Sequence, residues 1–152
     1  RRERFVGWYH SHPFDVGQHS NCFLSGTDVS TQLSWQRHQD DAGNPWLALV
    51  VDPLRGIAKG VPEIGAFRCY PATYTPPKGL APDGVTWADE RARNARWGES
   101  CVSYYQIPVE YTSSPAVMAM MMALSKDQLW IDVLSAAPSA EVEVRRAAHP
   151  PH

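Results

Sequence analysis

The chain has 152 residues, 43% of them apolar, enough to bury one core and form a single domain. Charged residues make up 20% and the formal net charge is −2, with no long basic run, so nucleic-acid binding has no support. The longest apolar run, Ala116–Leu124, is far short of the roughly 20 residues that span a bilayer, and no membrane span is expected.

In chain order, Phe5–His12 alternates between apolar and other residues as a half-buried strand does. A strand sends residues i and i+2 to the same side, so His10 and His12 point together and Ser11 points away. Pro13, which cannot donate to a ladder, ends the strand. Ser25-Gly26-Thr27-Asp28 then opens a helix expected over about Thr27–His38 and stopped by Asp40-Asp41-Ala42-Gly43-Asn44-Pro45. Ser-x-x-Asp is also what an ordinary helix cap looks like. Beside His-x-His-Pro it gains a second meaning, because Asp28 can complete a set of two imidazoles and one carboxylate. With an open fourth position for water, that is the composition of a catalytic zinc site.

Between the two motifs lies the spacer Phe14–Leu24. Its His19 and Cys22 form His-x-x-Cys, but no second pair stands at a structural-zinc spacing, so His19 is read as a solvated histidine. Trp46–Asp52 is a continuous apolar run, expected as a central strand buried on both faces. Pro53 ends it, Leu54–Gly60 is expected as a turn or short loop, and Val61–Tyr70 as the next strand despite Pro62. From Pro71 to about Ser100 the chain is rich in proline, glycine and charge; within it Trp87–Trp97 is a candidate short helix. Its Arg91, Arg93 and Arg96 are candidates to meet an acidic partner.

Cys101–Tyr111 alternates as a strand, with Val102, Tyr104, Ile107, Val109 and Tyr111 expected to be buried or half-buried. Ser113-Ser114-Pro115 signals entry to a helix on which Val117, Met120, Met121 and Leu124 share one apolar face, read first as core and second as an interface. Residues 137–152 read as a disordered tail, in which His149 and His152 are incidental. Three cysteines (Cys22, Cys69, Cys101) without a metal-type pair do not read as a disulfide framework, and no secretory signal is visible. A reducing cytoplasmic or nuclear compartment fits best.

The stretch Val6-Gly7-Trp8-Tyr9-His10-Ser11-His12-Pro13 with Cys22–Gln32, Val50–Pro53, Gly65–Pro77 and Tyr104–Leu134 resembles the JAMM (MPN-plus) metalloproteases, and most of all their signalosome branch. These are zinc isopeptidases that remove ubiquitin or ubiquitin-like modifiers. The likeness spans Phe5 to about Ala136. It implies a cytidine-deaminase-like α/β (α+β) fold, a mixed sheet flanked by helices, with 1–136 the C-terminal part of the catalytic domain. It implies zinc on His10, His12 and Asp28, and Ser25 as hydrogen-bond donor to the oxyanion of the attacked carbonyl. Cys22 resembles a cysteine close to the metal and is read as lining the pocket. Asp52 belongs to the family's Asp-Pro pair, reads as structural and is left out of the site.

The resemblance also implies a neddylated cullin as substrate, a catalytically inactive MPN partner subunit paired partly through helices, and further signalosome subunits. It places the segment 71–100 where that branch carries an insertion facing substrate or partners, beside the plainer reading of a surface loop. It puts a glutamate general base well upstream of His10, a position Glu3 does not match, so the chain reads as an N-terminally truncated piece, inactive by itself. A deubiquitinase of the proteasome-lid type and a non-catalytic MPN scaffold remain the alternatives.

Overall fold

A computed structural model describes residues 3–112 and 114–127 of the chain. The chain divides into two compact units, Arg1–Glu110 and Tyr111–His152. In the first, four strands form one sheet in the order of the sequence: β1 (Gly7–Ser11), β2 (Leu47–Val51), β3 (Ile64–Cys69) and β4 (Tyr104–Ile107). β1 pairs with β2 in parallel, and the β2–β3 and β3–β4 pairings are antiparallel. The class is therefore α/β with a mixed sheet, as the sequence led us to expect.

A parallel pair needs a crossover, and α1 (Gly26–Asp41) supplies it between β1 and β2. The helix runs one turn further than its polar end indicated. Asp40 and Asp41 belong to its last turn, and the stop comes at Ala42 and Gly43, where Gly43 has φ 72°. The face α1 buries is unusual in being polar at two of its three buried positions, Val29, Gln32 and Gln36. Each buried amide is matched. Gln32 Nε2 donates to the Trp46 carbonyl and to Gln36 Oε1, and Gln36 Nε2 donates to the Cys69 carbonyl while its Oε1 accepts from Cys69 N–H. These bonds fix the helix against β2 and β3, since a buried amide left unmatched costs about 1–3 kcal/mol.

The strands are shorter than the apolar runs that contain them; at the end of the second run Asp52 serves as a helix cap instead. The expected turn at 54–60 is instead a helix, α2 (Pro53–Lys59). Its signals are complete: Asp52 caps the first turn, Pro53 occupies the first position, and Gly60 closes the end at φ 69°. Within 71–100 the helix is α3 (Glu90–Trp97), capped by Asp89 and followed by a 3₁₀ turn, Glu99–Ser103. That turn takes Val102 out of the expected strand, and Val102 and Tyr111 are both exposed.

The core gathers Leu24, Val29, Ala48, Val50, Phe67, Cys69, Ala81, Trp97 and Tyr104. Phe67 and Tyr104 meet edge to face at 5.4 Å, and the Tyr104 hydroxyl donates to the Trp97 carbonyl at 2.5 Å. Ala81 and Trp97 thus tie the irregular segment into the interior at two points. Of its arginines, Arg93 is buried beside Glu90, and Arg96 lies over the Trp97 ring and donates to the Ser20 carbonyl. Neither is free on the surface to meet a partner; Arg91 is exposed.

Cys22, Cys69 and Cys101 are free thiols, all buried, and burial pushes the Cys69 thiol up to about 12. In the second unit, α4 (Pro115–Asp127) follows the expected entry signal. Val117, Met120 and Met121 are exposed on it, so the core reading of that face does not hold for these three. The side chain of Leu124 and the expected tail at 137–152 lie outside the described residues. No helix among the described residues is long and apolar enough to cross a membrane.

Candidate metal centre

The C-terminal end of β1 and the first turn of α1 meet where the chain enters the crossover. Gly7 permits the close approach that begins this geometry: a Cβ there would stand 2.3 Å from the Leu47 carbonyl oxygen. From Gly7 the strand alternates, with Tyr9 and Ser11 exposed and Trp8, His10 and, one residue past the strand, His12 on the opposite side. The Trp8 indole stacks on the His10 ring at 4.7 Å and donates to Gln32 Oε1 at 2.8 Å, so α1 holds the ring that holds His10.

His10 Nε2 and His12 Nε2 lie 3.1 Å apart. Asp28 Oδ1 is 3.4 Å from His10 Nε2, and Asp28 Oδ2 is 3.7 Å from His12 Nε2. The three groups can hold a metal ion, one donor atom from each lying within 4.8 Å of the others. Donors about 2.0–2.1 Å from a tetrahedral zinc stand roughly 3.3 Å from one another, close to the spacings found here.

Asp28 is fixed by the helix start. Ser25 N–H and Ser25 Oγ–H both donate to Asp28 Oδ2, at 2.8 and 2.6 Å, and Asp28 N–H donates back to Ser25 Oγ at 3.2 Å. The helix cap and the candidate ligand are therefore one arrangement rather than competing readings of the same residues. Oδ2 is held by Ser25, and Oδ1 is left towards His10.

The histidines are held differently. His12 Nδ1 donates to the Asn21 carbonyl at 2.8 Å. A carbonyl only accepts, so Nδ1 carries the proton and a neutral His12 offers its Nε2 lone pair. Phe14 and Phe23 pack on the His12 ring at 5.0 and 4.9 Å. Burial pushes the His10 imidazole below its ordinary value, against the opposing pull of Asp28, which favours the neutral ligand form. His10 Nδ1 is buried with no hydrogen-bond partner among the described residues. Two facing imidazole nitrogens beside a carboxylate form a set that suits a shared cation.

Residues 1–41 match the family model described as JAB1/Mov34/MPN/PAD-1 ubiquitin protease. The chain is 38% identical to COP9 signalosome complex subunit 5 of Caenorhabditis elegans over 138 residues, 91% of this chain and 34% of that protein. It is 40% identical to the Gibberella zeae protein of the same name (91% and 37%), and 38% to subunit 5b of Arabidopsis thaliana (91% and 35%). Its first 41 residues are thus similar to the JAB1/Mov34/MPN/PAD-1 family, and 91% of its length is similar to these subunit 5 proteins. It spans about a third of the length of the relatives it matches.

Around that motif stand residues the sequence had singled out and others it had not. Cys22, read from the sequence as lining the pocket, is buried; its thiol donates to the Val50 carbonyl at 3.3 Å, and burial raises it above its ordinary value. The thiolate form is disfavoured. His19 is exposed and outside the cluster. Gln32 supports Trp8, and the Asn21 carbonyl accepts the hydrogen bond from His12 Nδ1; neither had been picked out. For Asn21 no signal was available, since its part is played by a backbone carbonyl.

Proposed function

We propose that this chain supplies the metal-binding part of a zinc-dependent isopeptidase that removes the modifier NEDD8 from cullins, as the catalytic subunit of a COP9 signalosome. The observation that carries the reading is the convergence of His10, His12 and Asp28 from a strand end and the next helix start. The names of its relatives support the signalosome assignment.

In this reading His10 and His12 bind zinc as neutral imidazoles, and Asp28 binds it through a carboxylate already oriented by Ser25. A bound zinc ion would lower the pKa of a coordinated water from 15.7 towards about 7 and polarise the scissile carbonyl. Ser25 is assigned to the oxyanion: its hydroxyl, which rests on Asp28 Oδ2, turns to donate to the carbonyl oxygen as negative charge develops there. Donors of this kind are worth about 3–4 kcal/mol in other enzymes. The buried, raised Cys22 thiol has no place as a nucleophile, and no covalent intermediate with the protein is invoked. Inactive MPN-domain and other signalosome subunits are the proposed partners, and cytoplasm and nucleus the proposed compartments.

The test is zinc analysis of the full-length gene product together with cleavage of a neddylated cullin and of ubiquitin chains, for wild type and Asp28→Asn. Zinc in the wild type, cullin deneddylation and loss of both in the variant are expected. A zinc-free wild type, or a variant that cleaves normally, removes the enzyme reading; preference for ubiquitin chains transfers it to the proteasome-lid type.

A further inference from the structure

Asp52 is fully buried at the end of β2, and its two carboxylate oxygens serve different masters. Oδ1 accepts from Arg55 N–H at 2.9 Å and caps α2. Oδ2 is used elsewhere: it accepts Asn21 N–H at 2.9 Å and the Asn21 side-chain amide at 3.1 Å. The carbonyl of that same Asn21 accepts the His12 Nδ1 proton at 2.8 Å. The spacer 14–24 is therefore fastened at the residue whose carbonyl accepts from His12, and the fastening group is an ionised carboxylate just past the neighbouring strand. Arg55 Nη1 on the Gly17 carbonyl and Arg96 Nη1 on the Ser20 carbonyl hold the same loop from outside.

We infer that Asp52 is a positioning residue for His12, acting through Asn21 to set which ring nitrogen of His12 carries the proton and where the other one points. The inference rests on the zinc reading for its metal consequence only. Every contact in the relay is within the chain and stands with or without an ion. Direct bonds from a carboxylate or carbonyl to a ligand histidine fix its ring and tautomer. Here the carboxylate sits one residue further back, and a backbone carbonyl carries its effect. A helix cap alone would use Oδ1 and leave Oδ2 unengaged. Double donation by Asn21 to Oδ2 is what a cap does not require.

The experiment compares wild type, Asp52→Asn, Asn21→Ala and the control Asp89→Asn, which weakens the cap of α3 and has no contact with Asn21. Imidazole ¹⁵N–¹H correlation spectra read the His12 tautomer in zinc-free protein, and competition with a chromophoric chelator reads affinity for Zn²⁺. Asp52→Asn should mix the His12 tautomers and weaken zinc about 10–100-fold, the range seen when such supporting groups are removed elsewhere. Asn21→Ala, which keeps the carbonyl and loses one of two bonds to Asp52, should lie between wild type and Asp52→Asn. Asp89→Asn should change neither reading. If the wild type binds no zinc but Asp52→Asn still shifts the tautomer, the zinc reading fails and the relay stands. If zinc binds and neither Asp52→Asn nor Asn21→Ala moves tautomer or affinity, the relay is wrong. Should Asp52→Asn fail to fold, Asn21→Ala decides by the same criterion.

Discussion

Asp28 and His12 reach the same point by opposite routes. Asp28 is held by Ser25, three residues away, through a reciprocal set of bonds that any helix of this sequence forms as it starts. His12 is held by Asn21, nine residues away, which is in turn held by Asp52, thirty-one residues further on. One side of the site is set by local chain geometry and the other by tertiary structure. The local side should survive loosening of the fold; the distant side should fail with it. A metal site so divided gains its last ligand geometry only when the β2 end and the 14–24 loop have docked.

The largest expected effect comes from the local side. Asp28→Asn removes a ligand oxygen's charge while leaving a side chain that can still accept from Ser25. Zinc affinity should fall by more than about 100-fold, beyond the range of supporting groups, with the thermal midpoint nearly unchanged. A variant that keeps wild-type affinity would remove Asp28 from the ligand set. Next in size is Gly65→Ala on the distant side. A Cβ at Gly65 would stand 2.6 Å from the Phe67 ring and 2.9 Å from Cys22 Cβ, crowding the anchored end of the loop. Overpacking of this kind costs about 1–3 kcal/mol, and the comparison predicts that zinc affinity falls along with the melting temperature. An unchanged melting temperature would mean that the loop end is less tightly packed than described.

Much of the site was legible because the local half is written in short spacing. His-x-His-Pro and Ser-x-x-Asp each place their side chains by strand or cap geometry alone. The strands were legible for a similar reason, three of their apolar runs ending at Pro13, Pro53 and Pro71, whereas their pairing into a mixed sheet was implied by the family resemblance alone. Three things were not. The helix after Pro53 was read as a turn although Asp52, Pro53 and Gly60 are its start and stop signals, because seven residues offer too little periodicity to outweigh proline and glycine. The polar face of α1 hides in plain sequence, since Gln32 and Gln36 are ordinary surface residues until β2 and β3 provide their carbonyl partners. Asp52 was set aside as structural in an Asp-Pro pair; its contact with the site runs through a backbone atom, and no side-chain spacing records that.

Ser25→Ala gives a smaller effect. It removes the cap from α1 and both side-chain contacts with Asp28, while the Ser25 N–H bond to Oδ2 remains. A loss of about 1 kcal/mol in stability is expected from chemical denaturation. Cleavage by the full-length protein should drop by more than that loss implies if the hydroxyl also serves the oxyanion. Equal, small losses in both would reduce Ser25 to a cap.

The smallest effect is a pH dependence on the distant side. Burial alone would push the Asp52 carboxyl up, but the Asn21 and Arg55 amides and the Arg55 charge outweigh it and hold the carboxyl below its ordinary value. A carboxyl lowered in the folded state stabilises the protein fully above its unfolded value of about 3.9, and that contribution disappears as pH falls through the lower folded value. Wild type should therefore lose melting temperature below about pH 4 more steeply than Asp52→Asn. Parallel curves for the two would mean that Asp52 is not ionised where it lies.

The three buried, unpaired thiols have a practical corollary. With Cys69 raised to about 12 by its surroundings, a disulfide exchange reagent at neutral pH finds no thiolate on that residue while the chain is folded. Colour released from such a reagent then counts molecules that have opened. The protein reports its own breathing without an added label, and a ligand that quiets the signal announces that it has bound.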